Sequence, residues 1–526
     1  MDISRRFALS AGIGALAAAQ AAWSREPGPA NSNGAIDAVI ADFMRAFEIP
    51  GVSVAVIRPG QPAYTRGYGV RKLGGPERVD ADTLFAIASN TKAFTAACLA
   101  LLVEEGRLGW DEPVIKSMPD FAMSDPTATQ LMTVRDLLVH RSGLALGAGD
   151  LMQFPGSDRT RKEILHGLRY LPMARGFRSG YAYDNILYVV AGMLIERISG
   201  QTYEDFLTAR LLRPLGMNDA AAVRSRLHTA NVAGRHGRFG PPVRGMGPMR
   251  LVEAEEGHAA SPAGGLHASA NDIVFWLRAQ LQRGALSDGR RLWTEATANE
   301  MWTPQVITAS TAGPTAELPT RAVMAGYALG WGVTDYRGRR MIRHAGALTG
   351  QLTHTAIFPD HGLALAVFTN SEGAGVPALR NTIADQLLGE HGFDWLASAK
   401  AEQARDHAEA LSEAGGDFDR PPPGGPSLPL AAYAGRYRDP WYGDIVITEK
   451  KGGLYIDFTR SPGFQSALEP WGPDGFRTRF APDAGENAVV TAVVENGRVP
   501  RLKLRAHSPL ADFSYDFHDL NPVRVS

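Results

Sequence analysis

The sequence predicts an α+β domain joined to a small all-β module, and three observations predict it. Strand-like runs cluster at the two ends of a helical middle between residues 35 and 395, so a sheet has to be assembled from both termini of that region. A stiff stretch, "RPPPGGPSLP" over residues 420–429, then interrupts the chain. Beyond it, "GDIVITEKKGGLYIDFTR" and "ENAVVTAVVENGRVPRLKLRAH" alternate apolar and polar residues, with turns about every 8 to 12 residues.

The elements follow in chain order. "ISRRFALSAGIGALAAAQAAWS" pairs Arg5 with Arg6 ahead of a weakly apolar stretch and the small residues Ala19 and Ala21, the pattern of a twin-arginine export signal over residues 1–23. "AIDAVIADFMRAFEI" has the spacing of an amphipathic helix, and "GVSVAVIRPGQPAYTRGYGV" that of two strands joined by a Pro-Gly turn. "TLFAIASNTKAFTA", residues 83–96, opens a helix that stops near Gly106. "TVRDLLVHRSGL" predicts a short helix ended by Gly143, and "NILYVVAGMLIERISG" a longer apolar one ended by Gly200. Residues 218–262, rich in Gly, Pro and Arg, predict a loop or surface excursion. "ANDIVFWLRAQLQ" resumes a helix; "ALGWGVTDY", "RMIRHAGA", "LTHTAIFPD" and "LALAVFTN" read as four strands before the helix "ALRNTIADQLLGE". The first domain then spans residues 35–395. A helical and Pro/Gly-rich linker takes 396–429, and the all-β module 430–526.

Composition narrows the class. With 54 Lys+Arg against 55 Asp+Glu the net charge is −1, which favours neither nucleic acid nor an anionic membrane surface. A content of 44% hydrophobic and 21% charged residues is that of a soluble globular protein. Beyond the N-terminal stretch no segment has the run of about 20 apolar residues that spans a bilayer. The single cysteine, Cys98, excludes an intrachain disulfide and any multi-cysteine metal site, and its alanine-rich helical setting reads as a buried small side chain.

The chemistry begins at Ser89 and Lys92, three positions apart in an apolar and small-residue run. At a helix entry they share one face, so the side chains can touch. A helix N-terminus favours negative charge developing on the hydroxyl, and a desolvated lysine can accept its proton. A capping serine followed by a snorkelling lysine has the same spacing. Two further stretches separate the readings: Tyr183-Asp184-Asn185 precedes an apolar helix, and His344-Ala345-Gly346 stands at the end of a strand.

The order S-x-x-K, Y-x-N, H-x-G, with "TVRDLLVHRSGL" between the first two and "SPAGGLHASANDI" before the third, resembles the class C β-lactamase and penicillin-recognising serine hydrolase family over residues 35–395. The resemblance implies an antiparallel sheet flanked by helices, plus an α-helical subdomain. It also implies Ser89 as acylated nucleophile, with Lys92 and Tyr183 sharing the proton transfers, Tyr183 with its proton held loosely by cationic neighbours. Asn185 would meet a substrate carbonyl or amide, and the backbone N–H groups of Ser89 and Ala347 would form the oxyanion hole. Gly346 lets the strand approach the substrate. His344 stands where many family members have lysine, which weakens the charge that would hold a β-lactam carboxylate and resembles the family's esterases and D-amino-acid peptidases. Asp184 departs from the small residue usual there; facing the cleft it would disfavour anionic substrates, facing away it would support a turn. His140 reads as structural. "YAGRY" and "LEPWGPDGFRTRF" in the C-terminal module resemble the lipocalin-like β-barrel appended to some of these hydrolases.

The expectation is an exported, periplasmic serine hydrolase that cleaves amide bonds of small or nonstandard peptides without cofactor or metal. An esterase or weak β-lactamase of the same family is the near alternative, and a non-catalytic peptide- or peptidoglycan-binding protein the distant one. The sequence has no G-x-S-x-G, H-E-x-x-H or G-x-x-x-x-G-K-[ST] pattern to support other hydrolase or nucleotide chemistries. Small peptides, amides or esters are the expected partners, with no nucleic acid and no membrane span. The substrate, the oligomeric state and the task of the barrel are not legible at this level.

Overall fold

A computed structural model describes residues 32–154, 156–240, 243–253, 258–373, 375–413 and 420–525. The expected export signal lies outside the described residues. Helix α1 (Ser32–Phe47) and the hairpin of β1 (Gly51–Ile57) and β2 (Tyr64–Gly69) form where the periodicity placed them. Helices α2 (Thr91–Glu104), α3 (Ile186–Ser199) and α4 (Ala270–Leu281) build the helical middle. Then come β3 (Val306–Ser310), β4 (Met324–Tyr327), β5 (Gly332–Tyr336), β6 (Arg339–Leu348), β7 (Gln351–Phe358), β8 (Leu363–Thr369) and helix α5 (Gly375–Leu388). The sheet has eight strands in the order β2-β1-β8-β7-β6-β5-β4-β3, all neighbours antiparallel. Its two ends of chain meet at the centre, with Val52 opposite Thr369 and Ile57 opposite Ala364.

Burial explains the sheet's composition. Every residue of β1 and of β8 is buried, because helices cover both faces there. Ile40, Phe43, Val54, Phe358, Leu365 and Leu379 pack one face against α1 and α5. Leu99, Val190, Trp276, Ile342 and Ile357 belong to the core that joins the other face to the helical middle. There the Trp276 ring stacks on Phe94 at 3.9 Å and on Trp331 at 6.1 Å between centroids.

Four local expectations are corrected. Strands β3 and β4 were not anticipated, since β3 is a largely exposed edge without the alternation that burial imposes. "TVRDLLVHRSGL" forms only a 3-10 turn, Asp136–Leu138, because the Asp136 carboxylate draws in the Thr133 amide and hydroxyl, Arg141 and Arg178 at 2.5 to 3.0 Å. The excursion over 218–262 contains a hairpin, Arg235–Arg238 with Met249–Val252. His344 lies inside β6 rather than at its end, since the strand continues to Leu348 and turns into β7.

After helix α6 (Trp395–Glu413), the C-terminal module is a closed barrel of eight strands: β9 (Gly435–Asp439), β10 (Gly443–Lys450), β11 (Gly453–Phe458), β12 (Gln465–Pro470), β13 (Gly475–Thr478), β14 (Ala488–Glu495), β15 (Arg498–Ala506) and β16 (Val523–Arg524). Each pairs with the next, and β16 closes on β9. Side chains fill the interior, as expected for a barrel this small: the Phe458 ring centroid lies within 6 Å of Phe464, Phe480 and Phe517. The barrel is fastened to the first domain by Arg460 on Asp158 and Glu163, by Phe154 on Tyr515 at 5.4 Å, and by the Asp516 carboxylate, which accepts the Gly149 and Leu151 amides at 2.8 and 3.0 Å. Among the described residues no helix is long and apolar enough to cross a membrane.

Replacing Trp276 by alanine removes the ring that Phe94 and Trp331 stack upon. A destabilisation of about 3 to 5 kcal/mol is expected, read from the denaturant midpoint of the first domain's transition.

Candidate active site

The site is assembled where the helical middle meets the edge of the sheet. Ala88–Asn90 form a 3-10 turn that runs into α2, and Ala88 holds a left-handed φ of 48°. Such strain in a non-glycine residue persists only where neighbours over-determine it. They do: Asn90 donates to Thr353 Oγ1 at 2.8 Å and accepts from Thr355 Oγ1 at 2.7 Å, while Thr353 Oγ1 also donates to the Ile87 carbonyl at 2.9 Å. The turn is thereby pinned to β7, with Ser89 half-buried at its tip. A Cβ on Gly346 would lie 2.3 Å from the Ile87 carbonyl and 2.5 Å from Thr353 Oγ1. Only glycine lets β6 pass this close.

Lys92 is 0% exposed, and its Nζ meets three oxygens: Ser89 Oγ at 3.0 Å, Asn185 Oδ1 at 2.7 Å and the Ala263 carbonyl at 2.9 Å. Burial brings its pKa down to about 7, against the opposing pull of Asp150 and Asp184. A neutral amine has two hydrogens and one lone pair. Asn185 Oδ1 and the Ala263 carbonyl accept only, so they take the hydrogens and leave the lone pair facing the Ser89 hydroxyl.

Tyr183 lines the cleft beside Ser89, and Lys92 Nζ lies 4.9 Å from its ring centroid. Desolvation pushes the phenol well above its usual range. The expectation of a loosely held proton is therefore reversed: the resting group is a phenol, since the adjacent lysine is itself uncharged much of the time at neutral pH. His140 stacks on Tyr183 at 4.2 Å and accepts the Asp184 amide on Nδ1 at 3.2 Å. Burial lowers its pKa, which fits a neutral packing ring. Asp184 faces away from the cleft, fully buried, and accepts from the Ser142 hydroxyl at 3.1 Å.

Asn185 lines the cleft with both ends of its amide engaged, Oδ1 on Lys92 and Nδ2 on Asp150 Oδ2 at 2.8 Å. The expected contact with substrate thus shares the residue with a second task, orienting the lysine. His344 is 6% exposed and held to about 3, chiefly by burial, so it carries no charge at neutral pH. Its Nδ1 donates to the Ala345 carbonyl at 2.6 Å, which leaves Nε2 to accept from the Tyr327 hydroxyl at 2.8 Å. Strand β5 pairs with β6 only as far as Arg343 opposite Gly332. Residues 344–347 therefore present an unpaired edge to the cleft, the Ala347 amide among them.

These groups line a cavity of about 810 Å³. Sequence reasoning missed several of its walls: Asp150, Tyr181, Tyr327, Arg343, and Leu510, Asp512, Phe513 and Ser514 from the barrel. Arg343 pairs with no carboxylate among the described residues. None of these carries a local signal, because no motif links residues 150 or 510–514 to the serine. Cys98 is buried in α2, and burial raises its thiol pKa, which leaves it inert.

Comparison with known proteins bears on the family and the fold. The family model described as Beta-lactamase matches residues 36–390, and a domain of unknown function (DUF3471) matches residues 419–524. The unguisins hydrolase ungD of Aspergillus violaceofuscus is 29% identical over 460 residues, 82% of this chain and 79% of that protein. Its counterpart ungD' of Aspergillus campestris is 30% identical over 450 residues, 80% and 78% of the two chains. Among solved structures, the D-amino acid amidase from Ochrobactrum anthropi is 28% identical with a TM-score of 0.55, covering 68% of this chain and 98% of that one. An octameric penicillin-binding protein homologue from Pyrococcus abyssi, 21% identical with a TM-score of 0.57 over 90% of this chain and 99% of that one, shares the fold.

Two outcomes follow from the geometry. Below a pH of about 7 the Lys92 amine is protonated and has no lone pair for the serine, so kcat/KM is expected to rise at least about tenfold per pH unit on the acid side and level off above that value, checked with an uncharged ester substrate. Gly346→Val pushes β6 away from the turn that carries Ser89 and is expected to lower kcat/KM about 100-fold or more, measured beside a circular dichroism spectrum that shows the fold retained.

Proposed function

This chain belongs to the beta-lactamase family, and from that premise we propose that it is an exported serine hydrolase that cleaves amide bonds of small or nonstandard peptides through an acyl-enzyme on Ser89. One observation carries the reading: the Ser89 hydroxyl stands 3.0 Å from a buried lysine whose pKa is about 7. That pair supplies an activated alcohol at neutral pH without a metal or cofactor.

The steps are as follows. Neutral Lys92 takes the Ser89 proton as Oγ attacks the substrate carbonyl, and the oxyanion is met by the Ser89 and Ala347 amides. As the tetrahedral species collapses, the C–N bond breaks. The Tyr183 phenol gives its proton to the leaving amine and recovers one from Lys92, which suits a group kept protonated at rest. Water then attacks the ester carbonyl with its proton passing to Lys92, and as the C–O bond breaks Lys92 returns that proton to Ser89 Oγ, releasing the acid and free Ser89.

The substrate class rests on the cleft and the relatives. A neutral His344 lacks the fixed charge that a β-lactam carboxylate would need, which favours peptide or ester over antibiotic. The unpaired edge of β6 is suited to align an extended peptide backbone. Aromatic walls from Phe154, Tyr181, Tyr183, Tyr327 and Phe513 favour apolar side chains, and Arg343, which meets no carboxylate among the described residues, favours one beyond them. The named activities of the relatives, an unguisins hydrolase and a D-amino acid amidase, support amide bonds in nonstandard peptides. Export rests on the Arg5-Arg6 pattern, and its test is cell fractionation of the wild type beside an Arg5→Lys, Arg6→Lys variant.

A panel of D- and L-aminoacyl amides, linear and cyclic peptides, p-nitrophenyl esters and nitrocefin tests the function, each run beside Ser89→Ala. Amide turnover that falls about 10⁴-fold or more in the variant is expected, with an intact-mass adduct on Ser89 from a fluorophosphonate. Preferential turnover of nitrocefin, or hydrolysis that survives Ser89→Ala, would overturn it.

A further inference from the structure

The barrel contributes more than a wall. Residues 510–514 leave it, border the cavity and place the Phe513 ring 5.9 Å from Tyr183, edge to face. Ser514 Oγ, itself buried, donates to Asp150 Oδ2 at 2.7 Å, the same oxygen that accepts Asn185 Nδ2. Asp150 is fully buried between Gly149 and Leu151, the two residues whose amides the barrel's Asp516 carboxylate accepts. Gln153 Nε2 supplies a third donor to Asp150 at 3.1 Å. The carboxylate is thus held from the barrel through both its side chain and its backbone.

Resting on the lysine-activated serine proposed above, we infer that Asp150 is a positioning residue for catalysis and that the barrel, through Ser514 and Asp516, holds it in place. The reason is the two-sided chemistry of an amide. Asn185 has a donor end and an acceptor end, and nothing in its shape decides which faces Lys92. Asp150, as a carboxylate, only accepts; it draws the Nδ2 end and forces Oδ1 toward the amine. With that orientation the lone pair of Lys92 is left for Ser89. With the amide reversed, Nδ2–H would donate into the lone pair and the base would be occupied. Ser514 keeps the carboxylate oxygen in place, and Asp516 keeps the turn that carries it.

The ionisable groups around Asp150 are Lys92 on α2, Tyr183 ahead of α3 and Asp516 from the barrel. Burial pushes the Asp150 carboxyl up to about 7 and the Lys92 amine down to about 7, and each charge favours the other. A proton on Asp150 would supply a donor where the amide needs an acceptor, so loss of its charge and loss of its hydroxyl partner act in the same direction.

The test uses the full-length protein and the rate at which a fluorophosphonate labels Ser89, together with kcat and KM on an amide or ester turned over by the wild type. Asp150→Asn is expected to slow labelling and kcat about 100-fold, and Ser514→Ala about tenfold, with KM little changed. Ser514→Thr, which restores the hydroxyl, is expected to regain most of the rate. In an Asn185→Ala background, Asp150→Asn should have no further effect, because the carboxylate acts through that amide. If Asp150→Asn fails to fold, the Ser514→Ala and Ser514→Thr pair still decides. Wild-type rates in Ser514→Ala, or equal losses from Asp150→Asn with and without Asn185, overturn the inference while leaving the serine mechanism standing. Absence of label on wild-type Ser89 overturns the mechanism itself.

Discussion

Everything in the first domain is arranged around one buried amine. Placing Lys92 where water does not reach is unfavourable for its charged form, and the protein offsets this by giving Nζ three oxygens from three separate segments: the turn that carries Ser89, the entry to α3 and the turn before α4. Two of those oxygens are pure acceptors. The consequence is an amine that is neutral near pH 7 and aimed at one hydroxyl. A lysine paired with a carboxylate at contact distance would stay charged and could not serve; here Asp150 acts through the intervening amide.

The approach of β6 follows from the same centre. The strand carries the groups expected at an oxyanion hole, and it reaches them only because Gly346 has no side chain to strike the Ile87 carbonyl. Asn90, Thr353 and Thr355 lock the turn to the sheet, so the strained Ala88 is held from both sides. Cutting short the β5 pairing at Gly332 leaves the edge of β6 open toward the cavity. The open edge of the cleft and the placing of Ser89 are thus set by one strand and its register.

The C-terminal barrel shares in this centre rather than standing apart from it. Its aromatic interior is filled, which leaves its outer loops as the parts available for chemistry. Those loops pack Tyr515 on Phe154 and bring Ser514 to Asp150, so the two domains share one continuous core. The linker between them separates the domains in sequence and not in packing.

Much of this was readable from residues alone. The short β-branched run "GVSVAVI" and the longer apolar run "NILYVVAGMLIERI" specify their elements because burial leaves apolar stretches of strand and helix length, and the spacing of Ser89 and Lys92 places two side chains on one helical turn whatever the rest of the chain does. The exposed edge strand β3 left no such trace, and neither did the turn at Asp136, whose shape comes from Arg178 some 40 residues away in sequence. The charge states of Tyr183 and His344, the engagement of Asn185 and the arrival of Ser514 beside Asp150 were decided only by tertiary structure. Proton affinity depends on how much water is excluded and on which dipoles point inward, and these come from segments with no fixed separation along the chain. Local spacing determined which groups could react, and long-range packing determined in which protonation state and with which partners they meet.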